Sequence, residues 1–167
     1  MKKVLILASE GFEDSELIYP YYRMQEAGFD VSIAGIGEKT YKGKSGLQIN
    51  CDGDIEDFNP KDFAALIIPG GWAPDKLRRS KTVLDFVKEL QKQDKIIAAI
   101  CHGPQVLISA GVLKNRTLTC VAAIKDDVTN AGAKYLDKSV VVDRNLITSR
   151  HPSDLPHFCR EIVKALK

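Results

Sequence analysis

Apolar positions along the chain fall into two rhythms. Short, largely apolar runs at residues 4–8, 31–36, 64–68 and 96–100 read as strands buried on both faces. Between them the spacing changes to that of helices. Leu17, Tyr21 and Met24 share a face that Gly28 should end, with Pro20 either in the first turns or kinking the helix. Val83, Phe86, Val87 and Leu90 follow i, i+3, i+4, i+7. Val106, Leu107 and Ala110 form a further stripe with Gly111 as its stop. Leu155, Phe158, Cys159, Ile162, Val163 and Leu166 form the last, with Ser153 as the expected N-cap. Alternation at Leu47, Ile49 and Cys51 among glycines suggests a hairpin-like excursion over residues 40–55. A strand is expected over 118–121 and a short helix over 125–131. Residues 140–142 and 146–148 should pair about a turn at Asp143-Arg144-Asn145. Buried strands alternating with amphipathic helices mean an α/β fold with a mostly parallel sheet, covered on both faces.

Composition narrows the classes. A chain of 167 residues suits one domain, spanning 1–167. Its 44% hydrophobic and 28% charged residues are ordinary globular values. The net charge of +2 is spread along the chain, so neither nucleic acid nor an anionic membrane is indicated as a partner. No apolar run approaches a membrane span, and the N-terminal run is short for a signal peptide. The four cysteines lack Cys-x-x-Cys spacing, which points away from zinc and redox pairs and towards a reduced, cytoplasmic setting.

The chemistry is expected at Cys101. It ends the run 96–100 and is followed by His102-Gly103-Pro104 and a helical stripe, so it sits at a sharp strand-to-helix turn. That is a nucleophile-elbow arrangement with Cys in place of Ser. A helix N-terminus favours the thiolate, so a lowered thiol pKa is expected. Cys51, Cys120 and Cys159 have no such context and read as space-filling residues.

In a parallel sheet ligands bind beyond the carboxyl ends of the strands, where this reading also puts Glu13 and Asp14, and Gly70 and Gly71. Glu13 directed at Cys101 would share a proton with it. Alternatively, Glu13 is a surface carboxylate. Gly70 and Gly71 either permit a tight turn or offer N–H groups to an oxyanion. His102 is the natural base, although adjacent residues at a helix start diverge, and it needs an orienting acid. Asp75 is available as that acid or as a helix cap. His151 and His157 read as solvated or structural.

Several stretches together resemble the PfpI/ThiJ superfamily, in its intracellular protease and bacterial deglycase branch. They are Phe12-Glu13-Asp14, Pro69-Gly70-Gly71 with Ala73-Pro74-Asp75, residues 99–105 around Cys101-His102-Gly103, Ile124-Lys125-Asp126-Asp127, and Ser149-Arg150-x-Pro-x-Asp-Leu155. The resemblance implies a flavodoxin-like three-layer sandwich related to class I glutamine amidotransferases. It implies Cys101 as nucleophile with Glu13 bonded to its sulfur, and His102 oriented by Asp75, often from a neighbouring subunit. It also implies homodimers or higher homo-oligomers and no metal or organic cofactor. The archaeal proteases carry Glu where this chain has Asp75, and a Tyr where it has Val121. Both differences favour methylglyoxal or glycated thiols and amines over peptides as substrate. A cysteine peptidase or amidase is the alternative enzyme reading. A stress chaperone or redox sensor is the alternative from another class.

Overall fold

The computed structural model describes residues 1–167. Seven strands form the main sheet: β1 (Lys3–Leu7), β2 (Asp30–Gly35), β5 (Gly53–Asp54), β6 (Ala65–Ile68), β7 (Ile96–Ile100), β10 (Val141–Asp143) and β11 (Leu146–Ser149). Their order is β10-β11-β7-β6-β1-β2-β5. Every pairing is parallel except that of β10 with β11, the hairpin expected at Asp143-Arg144-Asn145. β1, β6 and β7 carry unbroken apolar runs because both of their faces are covered. Val4, Leu5, Ile6, Leu66, Ile67, Ala98 and Ile100 are fully buried.

Six helices complete the fold: α1 (Asp14–Glu26), α2 (Ala73–Leu77), α3 (Lys81–Lys92), α4 (Pro104–Ala110), α5 (Lys125–Asn130) and α6 (Leu155–Leu166). From β1 the chain steps through α1 to β2 in one direction. From β6 it steps through α3 to β7 in the other. Parallel crossovers are right-handed, so the two steps place their helices on opposite faces. In agreement, α1 packs on α6, whereas α3 and α2 pack on α4. The stripes foreseen on α3 and α6 are buried along their whole length. No helix is long and apolar enough to cross a membrane.

The excursion over 40–55 is a hairpin, β3 (Thr40–Lys42) against β4 (Gln48–Asn50), and these two strands pair only with each other. Two expectations need correction. Residues 118–121 do not form a sheet strand. Only β8 (Thr117–Leu118) is extended, and it pairs with β9 (Lys134–Tyr135). The Thr119 N–H goes instead to the Thr148 hydroxyl (2.9 Å) and that of Val121 to the Cys101 carbonyl (3.1 Å), so the segment crosses the elbow rather than joining a ladder. Nor is Ser153 the cap of α6. It lies in a 3-10 turn, Pro152–Asp154, with its hydroxyl 2.6 Å from His151 Nδ1, and Asp154 is the residue that precedes the helix.

Candidate active site

Three strand ends converge where the sheet order reverses, beside β1. The link after β1 and the turn after β6 are laced by Glu13 N–H to the Gly70 carbonyl (3.2 Å) and Trp72 N–H to the Gly11 carbonyl (2.8 Å). Gly71 has φ +76, and a Cβ there would lie 2.4 Å from the Glu13 nitrogen, so only glycine fits. At the end of β7, Cys101 has φ +61, a left-handed conformation that a cysteine adopts at a cost of about 1–3 kcal/mol. Gly103 packs so closely that an added Cβ would meet the Ile68 carbonyl at 2.4 Å. Pro104 opens α4 and Gly111 (φ +71) ends it, as the sequence suggested. This is the strand–elbow–helix expected around Cys101.

The carboxyl beside the sulfur belongs to Glu16, not Glu13. Glu16 is fully buried in the first turn of α1, and its Oε2 accepts a 2.7 Å hydrogen bond from Gly70 N–H. Its Oε1 makes no hydrogen bond, and the carboxyl sits beside Cys101: a Cβ on Gly70 would meet both Glu16 Oε2 (2.6 Å) and the Cys101 Cβ (2.8 Å). Glu13 turns outward to Lys44 (3.2 Å). The reason is helical phase. Glu16, Leu17, Pro20 and Met24 form the buried stripe of α1, and Glu13 lies before its first turn. A carboxylate on an otherwise apolar stripe was the available sequence signal.

That commitment of Gly70 N–H to Glu16 removes it as an oxyanion donor. Gly71 remains, and its N–H and that of His102 are directed at Cys101. Burial pushes the Glu16 carboxyl up to about 7, the nearby Glu13 charge adding to it, while Gly70 N–H and Lys44 oppose. Burial, then the Glu16 carboxylate, push the Cys101 thiol up to about 12 against the two N–H groups. The lowered thiol pKa expected from the helix start is therefore reversed, chiefly because the sulfur is buried and secondarily because an acid that the local sequence does not reveal shares the site. The carboxylate's effect vanishes when Glu16 is neutral, so the two groups titrate as a pair.

His102 does reach the sulfur: its Nδ1 lies 3.4 Å from Sγ. Burial and the Lys44 charge hold the imidazole below its usual range, favouring the neutral ring at neutral pH. Asp75 does not orient it within this chain. Its carboxylate, on α2, is exposed and pairs at 3.3 Å with Arg79 in the turn that follows the helix. Gly71, Trp72, Asp75, Lys76, His102 and Gln105 line one open cavity of about 390 Å³. Trp72 is 66% exposed on its rim.

A parallel α/β sheet with a half-buried cysteine on a strained elbow, flanked by a carboxyl and an imidazole, defines the class. Comparison with known proteins makes it specific. The model of the DJ-1/PfpI family matches residues 2–165, and the chain belongs to that family. It is 46% identical to a protein of Pyrococcus furiosus named deglycase PfpI, covering 99% of both chains. It is 44% identical to protein/nucleic acid deglycase 2 of Escherichia coli, covering 99% of this chain and 98% of that one. Among solved structures, a two-domain protein of Anabaena variabilis with DJ-1/ThiJ/PfpI-like and ferritin-like domains matches with a TM-score of 0.96 at 47% identity. The match covers 99% of this chain and 48% of that one. Drosophila melanogaster DJ-1beta matches with a TM-score of 0.94 at 31% identity, covering 99% and 90%.

Proposed function

We propose that this protein is a cysteine-dependent enzyme that acts on methylglyoxal or on its adducts with thiols and amines. The observation that carries the reading is the Cys101 sulfur, set between the buried Glu16 carboxyl and His102 Nδ1, with His102 also lining a cavity of about 390 Å³, a size suited to a small carbonyl compound. The deglycase names of relatives at 44–46% identity support the substrate class.

In this reading the sulfur bonds to an aldehyde carbon as the thiol proton leaves. Glu16, whose carboxyl burial pushes up to about 7, is the nearest carboxylate to take that proton. The neutral His102 ring is the second acceptor. The carbonyl oxygen becomes an alkoxide beside the Gly71 and His102 N–H groups, and takes the proton back from Glu16 to give the hemithioacetal. Charge moves from carboxylate to oxyanion, and no group need carry a free thiolate beforehand. This reconciles a raised thiol pKa with nucleophilic chemistry.

His102 has no orienting acid in its own chain, and Asp75 projects outward beside the exposed Trp72. A second copy supplying Asp75 across an interface is part of the proposal. The deciding assay compares the purified protein with Cys101→Ser on methylglyoxal, on its N-acetylcysteine hemithioacetal and on unblocked fluorogenic peptides. Turnover of the first two, lost at least a hundredfold in the variant, is the expected result. Cleavage of peptides alone would favour the peptidase reading, and turnover surviving in Cys101→Ser would defeat the cysteine mechanism.

A further inference from the structure

The hairpin β3–β4 stands apart from the main sheet, yet it is tied to the link that precedes α1. Gly11 N–H donates to the Lys42 carbonyl and Lys44 N–H to the Phe12 carbonyl, both at 2.9 Å. The Asp14 carboxylate accepts from Ser45 N–H (2.9 Å) and Leu47 N–H (2.7 Å), and Glu10 accepts from Lys42 N–H (3.1 Å). Gly43 lies so close that a Cβ would meet Asp14 Oδ2 at 2.4 Å. So many ties to one loop fix where its tip points. The tip carries Lys44, whose Nζ is 3.2 Å from Glu13 Oε2 and 5.7 Å above the Trp72 ring at the rim of the cavity.

We propose that Lys44 and Glu13 are a positioning pair for the Cys101 site, in which the Lys44 cation favours negative charge on the Glu16–Cys101 pair and the Glu13 carboxylate opposes it. The charged and titratable groups around that pair are few. Glu16 meets Glu13 from the link, Lys44 from the hairpin and Cys101 from the elbow. His102 responds to Lys44 and shares its cavity with Asp75 and Lys76 of α2. Of these, Glu13 and Lys44 are the two whose charges bear on Glu16 with opposite sign. Neither touches the sulfur. Their role is to set the pH at which the buried pair gives up its proton, and the hairpin is the element that delivers one of the two charges.

The sign pattern makes this testable without any substrate, so its failure is separate from failure of the proposed activity. The readout is the rate of iodoacetamide alkylation at Cys101, followed by peptide mass spectrometry between pH 5 and 9. A unit charge within a side chain's length or two moves a titration by about half a pH unit. Lys44→Met should move the inflection up by about that amount and Glu13→Gln should move it down. The double variant should return close to the wild-type position, and Lys44→Arg should leave it in place. If the pair only holds the hairpin, either single substitution breaks the same contact. Shifts in the same direction, or no shift in either, would overturn the proposal.

Discussion

Replacing Glu16 by Gln should change the pH dependence of stability more than any other conservative substitution in the site. Glu16 is fully buried, and its folded-state pKa is raised from 4.5 to about 7. An acid raised in this way binds its proton more tightly in the folded state than in the unfolded one. Its stabilising contribution is complete below pH 4.5 and is lost as pH rises through 7. A shift of that size corresponds to about 3 kcal/mol, of which about 2.5 kcal/mol is lost between pH 5 and pH 8. Gln has the shape of the protonated acid, keeps an oxygen for Gly70 N–H and does not titrate. The variant's advantage over the wild type should therefore widen by about 2.5 kcal/mol between pH 5 and pH 8. Urea unfolding at the two pH values gives the difference directly. In a chain of this length it corresponds to about 5–10 °C in Tm. Other titrating groups are common to both proteins and cancel. A gap between variant and wild type that stays constant from pH 5 to pH 8 would show that Glu16 does not exchange a proton in this range. The step in which it receives the thiol proton would then fail.

Two further outcomes follow from the geometry. Gly71→Ala should destabilise by about 3 kcal/mol or prevent folding, because the new Cβ would meet backbone atoms of Gly11, Phe12 and Glu13 at 2.4–2.7 Å; Gly28→Ala, with φ +90 but nothing within 4 Å, should cost only about 1 kcal/mol by thermal denaturation. If Asp75 acts across an interface, mixing Cys101→Ser with Asp75→Ala subunits should restore part of the turnover, since each mixed dimer then holds one site with both native residues. Absence of recovery, with exchange confirmed by mass, would exclude a shared site.

What could be read from the sequence was whatever the chain repeats often enough to reveal a period or breaks sharply enough to mark an edge. The runs of β1, β6 and β7 and the stripes of α3 and α6 satisfy the first condition. The elbow satisfies the second, because an apolar run stops at Cys101 and Gly103-Pro104 restarts a helix. The pieces β8, β9 and α2 satisfy neither, and β8 is held by distant partners such as the Asp143 carboxylate, which accepts from Thr117 N–H. The choice between Glu13 and Glu16 turned on phase. Both follow β1, but only Glu16 continues the stripe of Leu17, Pro20 and Met24, and a charge on a buried stripe carries more information than a charge in a link. The thiol's pKa needed still more, since its sign depends on whether burial and a carboxyl 85 residues earlier outweigh two N–H groups beside it. Local context singles out Cys101 because the elbow is local. It cannot fix the charge on the sulfur, because charge in a buried site is set by every element that closes over it.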